Sequence, residues 1–151
     1  VVERGILECM EFKRVMSYDL MVFEKTKAPN NKIEFMKWYD EQTEWNEDHD
    51  YESIEVTSTN LKNWFMDMIK MFPPMNGEFA PEDDAIENNE ELERHLTDYC
   101  IGSAVIYTGF TWSIAEEAYN SMLHFALKHD VGFFDVSGNG DIVLSDGKKL
   151  D

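Results

Sequence analysis

The sequence predicts a single α+β domain, a mainly antiparallel sheet with about three helices in the order βααββαββ. Three observations carry this. Short apolar runs rich in β-formers, such as Tyr18–Phe23 and Ala104–Tyr107, are bounded by turn residues. Longer segments place apolar residues at helical spacing behind capping residues. Finally, 151 residues with 43% hydrophobic side chains suffice for one full core and one domain.

Residues 1–15, "VVERGILECMEFKRV", have no clean period and precede Met16. They read as an extension, non-native or upstream of the true start, with the domain occupying residues 16–151. The strand Tyr18–Phe23 follows and is expected at or near the centre of the sheet. Asn31 with Glu34 forms a capping box opening the first helix, whose apolar stripe is read as Ile33, Met36 and Tyr39. After a polar, acidic link, Ser58 or Thr59 caps a second helix with the stripe Leu61, Phe65, Met68 and Phe72, and Pro73 and Pro74 stop it.

Residues 76–97 read as a long acidic surface loop with one short helix near Glu90–Leu96. "TDYCIGSAVIYTGF" then gives two strands hinged at Gly102 and Ser103. Ser113 with Glu116 has capping-box form and opens the third helix, with Ile114, Ala118, Met122 and Phe125 on one face. The expected core is Leu20, Val22, Ile33, Phe35, Leu61, Phe65, Met68, Ile106, Ile114, Met122, Phe125, Phe133 and Phe134.

The strands are apolar on both faces, where an antiparallel sheet with helices on one side alternates. Something must cover the second face. Residues 76–97 or 1–15 would do so within the chain, as would a division of the helices between the faces; a homodimer or a protein partner would do so from outside.

The last segment, "FFDVSGNGDIVLSDGKK", places Asp135, Ser137, Asn139, Asp141 and Asp146 where a calcium-binding EF-hand loop places ligands. Those five are the weak metal candidates. The scaffold argues otherwise, because aromatic strand residues precede the loop and only five residues follow Asp146. Gly138, Asn139 and Gly140 instead suit a hairpin turn between the last two strands.

Asp and Glu number 31 against 13 Lys and Arg, a formal charge of −18. That charge repels phosphate backbones and anionic lipid, so neither nucleic acid nor membrane is expected as a partner. Solubility, a cation or a basic protein remain. Cys9 and Cys100 are too few for a disulfide framework, which points to reduced thiols and a cytoplasmic setting. His49, His95, His124 and His129 have no metal-ligand spacing, no nucleophile elbow or phosphate loop is present, and no cofactor is expected.

"MSYDLMVFE", "FMKWYDEQTEW", "TDYCIGSAVIYTGFTWSIAEEAY" and "KHDVGFFDVSGNGDI" resemble stretches of a small, acidic, uncharacterised bacterial protein family. The resemblance covers most of Met16–Ile142. It implies a bacterial cytoplasmic α+β domain and no activity, so it assigns no catalytic residue.

The leading functional expectation is a non-catalytic protein-binding module, an immunity or antitoxin-like inhibitor of a basic effector. Two acidic segments would form its surface: Trp45, Glu47, Asp48, Asp50 and Tyr51 in the first, and Phe79, Glu82, Asp83 and Asp84 in the second. Here aromatic anchors are surrounded by steering charge. The alternatives are calcium binding through residues 135–146, or a small carboxylate-dependent hydrolase using Glu116, Glu117 and Asp98 near Trp112.

Overall fold

A computed structural model describes residues 17–144 and 146–151. The extension at residues 1–15, Met16 and Cys9 lie outside the described residues. Five strands form one antiparallel sheet: β1 (Tyr18–Phe23), β2 (Asp98–Ile101), β3 (Val105–Phe110), β4 (Gly132–Phe134) and β5 (Ile142–Val143). Their spatial order is β2-β3-β1-β4-β5, so β1 is central as expected. It pairs with β3 along its whole length, Tyr18 opposite Phe110 and Phe23 opposite Val105, and with β4 from Met21 to Phe23. β2 and β3 form the hairpin expected at Gly102 and Ser103, and β4 and β5 form the hairpin expected near Gly140.

The helices are α1 (Lys32–Gln42), α2 (Thr59–Met68), α3 (Asp83–Glu87), α4 (Glu90–His95) and α5 (Ala115–His129). The class is α+β as the sequence predicts. Of the two short helices in residues 76–97, α4 is the one read near Glu90–Leu96 and α3 is additional. Asn31 caps α1 through its side chain, which accepts the Glu34 amide, and Ser58 does the same for α2 through Leu61. Ser113 does not cap α5. The chain enters that helix through a 3-10 turn, Trp112–Ile114, whose own hydrogen bonds replace the side-chain cap.

The doubly apolar strands are explained by helices on both faces. Leu20, Val22, Ile106, Phe110 and Phe133 pack against α2 and α5, which contribute Leu61, Trp64, Phe65, Met68, Ala118 and Met122. Met21, Phe23, Val105, Tyr107 and Phe134 face the other way, against Phe35 of α1 and the chain that follows it. Residues two apart share a face of a strand, so covering both faces buries every strand position.

Two core expectations are corrected. Ile33 is 73% exposed, because α1 turns Phe35, Trp38 and Tyr39 to the sheet instead. Phe125 is half-buried at the edge of the α5 contact.

Both sheet edges are closed within the chain. Ile101 N–H donates to Tyr51 O and Thr97 N–H to Pro73 O along β2, while Leu150 N–H donates to Ile142 O beyond β5. An edge so occupied offers no ladder for another strand. Among the described residues, no helix is long and apolar enough to cross a membrane.

Candidate functional site

The first acidic segment begins where α1 ends. Thr43 closes that helix, its amide donating to Tyr39 O, and Trp45 then reverses the chain at a φ of 55°. Tyr51 repeats the reversal at 62°. A bulky side chain rarely adopts this left-handed backbone, which costs about 1–3 kcal/mol per residue. Burial offsets that cost. Trp45 is 3% and Tyr51 1% exposed, and their rings meet edge-on at 5.2 Å, with Trp45 also 6.0 Å from Tyr107 on the sheet. Both therefore lie inside the fold. Their expected role as surface anchors is corrected to that of anchors for their own loop.

Between the two reversals the chain is held by Glu47. Its carboxylate accepts the Ser103 amide at 2.9 Å and the ring N–H of His49 at 2.8 Å. The Tyr51 amide donates to Nδ1 of that imidazole, so Nε2 carries the proton shared with Glu47. The Tyr51 hydroxyl in turn accepts the Glu47 amide at 2.6 Å. The close approach explains Gly102: a Cβ there would lie 3.0 Å from Glu47 Oε2. Together these bonds close the loop into a clasp.

The clasp fixes what remains outside it. Asp48 is exposed, and the Asp50 carboxylate accepts the Glu52 amide in a tight turn. A 3-10 turn, Ile54–Val56, capped by the Ser53 side chain, carries Glu55. Opposite runs the segment after α2. Gly77, at a φ of 91°, backs onto the Glu52 carbonyl, where a Cβ would come within 3.3 Å. Glu78 and Phe79 follow, and the Phe79 ring rests 5.9 Å from Phe65 while staying 37% exposed.

The result is a cleft of about 200 Å³ walled by Asp50, Glu52, Glu55 and Glu78, with Phe79 along one side. The sequence brought Asp50 and Phe79 forward as separate candidates; the structure joins them. Glu52, Glu55 and Glu78 were missed as individual site residues, although Glu52 and Glu55 lie inside the first acidic segment. Glu82, Asp83 and Asp84 do not line the cleft. They sit at the N-terminus of α3, where acidic groups oppose the helix dipole.

The other candidates fall apart geometrically. Strand alternation puts Asp98 on the α1 face with Cys100, whereas Glu116 and Glu117 ride on α5 across the sheet. Glu117 is paired with His95 at 3.0 Å, and Trp112 stacks on Tyr18 at 5.1 Å. These carboxylates do not converge on one reacting atom.

In the terminal hairpin, the Asp135 carboxylate accepts the Gly138 amide, Asn139 accepts Asp141, Asp146 accepts Lys148 and the Ser137 hydroxyl accepts Asp19. Asp141 is also paired with Lys149 at 2.9 Å. The five calcium candidates are thus engaged in shaping a turn. Among the described residues, no three His, Cys, Asp or Glu side chains are arranged to hold a metal ion.

One buried polar network went unread, although its signal is in the sequence: Asp19 interrupts an otherwise apolar strand. The Tyr107 hydroxyl donates to Asp19 at 2.6 Å, and the Ser17 hydroxyl also reaches that carboxylate. Burial, then the neighbouring Tyr39 and Asp19, push the Tyr107 phenol far above its ordinary range. It stays a proton donor and fixes α1 against the sheet.

Compared with protein-family models, curated proteins and solved structures, the sequence matches none.

Proposed function

We propose that this protein is a non-catalytic protein-binding module of bacterial origin that takes a basic protein partner at the cleft between residues 50–55 and 77–79. In this reading it acts as an immunity or antitoxin-like inhibitor, covering a cationic active site on an effector. The observation that carries the reading is the Glu47 clasp, which fixes Asp50, Glu52 and Glu55 opposite Glu78 and Phe79 before any partner arrives. A surface held in its binding geometry loses little conformational freedom on association.

Charge supplies the second support. A net −18 speeds encounter with a cationic protein and repels anionic competitors. The apolar ring of Phe79 within the acidic wall supplies contact area that charge alone lacks.

The test begins with the product of the reading frame adjacent to the gene as first candidate partner. Its affinity is measured by calorimetry for the wild-type protein and for a variant carrying Asp50→Asn, Glu52→Gln, Glu55→Gln and Glu78→Gln. The expected result is at least about tenfold weaker binding by the variant, with its unfolding midpoint unchanged. Equal affinity in the two proteins would remove the cleft from the interface.

A further inference from the structure

Two Asn-Gly pairs occur among the described residues, Asn76-Gly77 and Asn139-Gly140, and both asparagines are exposed. Glycine after asparagine leaves the next amide nitrogen sterically open, so it can attack the carbon of the asparagine carboxamide. The new nitrogen–carbon bond closes a succinimide, the bond from that carbon to the carboxamide nitrogen breaks, and ammonia departs with the proton that the backbone amide gave up. Water then opens the ring at either carbonyl, leaving aspartate or its β-linked isomer. Asparagine and water become an acid and ammonia, with no oxidant or cofactor.

The fold treats the two pairs differently. At Asn139 both reacting groups are tied: the side-chain oxygen accepts the Asp141 amide at 3.0 Å and the Gly140 amide donates to the Asp135 carbonyl at 3.1 Å. At Asn76 neither is tied. Met75 is pinned through its amide to Thr97 O and Ala80 through its amide to Gly77 O, but among the described residues the Gly77 amide and the Asn76 side chain make no hydrogen bond. The nucleophile and the carbon it must reach are both available in an exposed bend.

We propose that Asn76 is a self-modification site, converting to aspartate and isoaspartate through the Gly77 amide while the fold protects Asn139. The product adds a negative charge beside Gly77 and Glu78, at the rim of the acidic cleft. Its β-linked form inserts one more backbone carbon where Gly77 touches Glu52. This chemistry follows from the two turns and stands apart from the identity of any partner.

The test is incubation of the purified full-length protein at mildly alkaline pH, followed by peptide mapping by mass spectrometry and enzymatic methylation of isoaspartate. A parallel sample is held unfolded in concentrated urea. The expected result in the folded protein is conversion in the peptide containing Asn76, with Asn139 slower by about tenfold, the effect of one hydrogen bond on the barrier. In urea the two should convert at comparable rates. The Asn76→Gln variant should lose the fast phase and keep the slow one. Conversion first at Asn139, no preference between them in the folded protein, or the same preference in urea would each overturn the inference.

Discussion

The Glu47 carboxylate accepts the Ser103 amide at 2.9 Å, a bond that ties the acidic loop after α1 to the turn between β2 and β3 across 56 residues of sequence. The same carboxylate holds His49. Replacing Glu47 by Ala leaves the Ser103 amide without its charged acceptor and should lower unfolding free energy by about 1–3 kcal/mol. Urea denaturation checks the loss. Hydrogen exchange should quicken at residues 47–52 and remain slow in β1; unchanged exchange in the loop would mean the clasp is not what holds it.

Trp45 tests the corrected role of the aromatics. Since its ring lies between Tyr51 and Tyr107, Trp45→Ala should cost about 3–5 kcal/mol through the cavity it leaves. Any loss of partner binding would then follow the fraction of protein folded. A Trp45→Ala variant with wild-type stability and weakened binding would restore this residue as a surface anchor.

Gly132 sits where a Cβ would come within 2.1 Å of the Phe23 ring, which is itself packed 4.9 Å from Phe35. The ring cannot retreat without opening the α1 contact. Gly132→Ala should therefore destabilise by about 1–3 kcal/mol, read as a lower thermal midpoint. Adding Phe23→Leu should recover part of it by clearing the space.

Stability should fall on both sides of neutrality, for different reasons. Asp67 accepts hydrogen bonds from His129, Lys128 and Lys70, in that order of importance, and these hold its carboxyl well below the usual 3.8. A depressed acid stabilises above its unfolded value, and the contribution disappears as pH drops from about 4 toward the folded value. His95 moves the other way. Burial pulls its pKa down, but the Glu91 carbonyl and the Glu117 carboxylate outweigh that and leave it raised above 6.5. Its contribution is complete below 6.5 and disappears as pH rises through the folded value. Urea midpoints measured against pH should show Asp67→Asn flattening the acid limb alone and His95→Gln flattening only the slope just above 6.5.

Much of the fold was legible because it is locally encoded. Asn31 and Ser58 announce helix starts and Gly102 a hairpin, each through chemistry spanning a few residues; α2 ends at Met68, short of the stop read at Pro73 and Pro74, and leaves Phe72 outside the helix. The errors lie where distant partners decide. Of the stripe Ile33, Met36 and Tyr39, the last two do pack on the sheet, but the position of the sheet turns Phe35 and Trp38 inward with them and leaves Ile33 outside. Ser113 has the form of a cap, but the 3-10 turn at Trp112 moves the helix start past it. The candidate site was legible as charge and not as geometry. Trp45 and Tyr51 look like surface aromatics in an acidic run until Ser103, far along the sequence, draws Glu47 inward. Phe79 and Asp50 meet only because α2 brings the backbone back alongside the loop.

The central claim is that a fixed acidic cleft captures a cationic protein. Its most direct test is the association rate constant with that partner as ionic strength is varied, for the wild-type protein, the four-fold cleft variant and Phe79→Ala. Encounter is governed by charge and lifetime by packed contacts. The wild-type rate should fall steeply with salt, the cleft variant should start slower and respond less, and Phe79→Ala should keep the wild-type association rate while dissociating faster. Wild-type and cleft-variant rates with the same salt dependence, and a dissociation rate unmoved by Phe79→Ala, would contradict the claim.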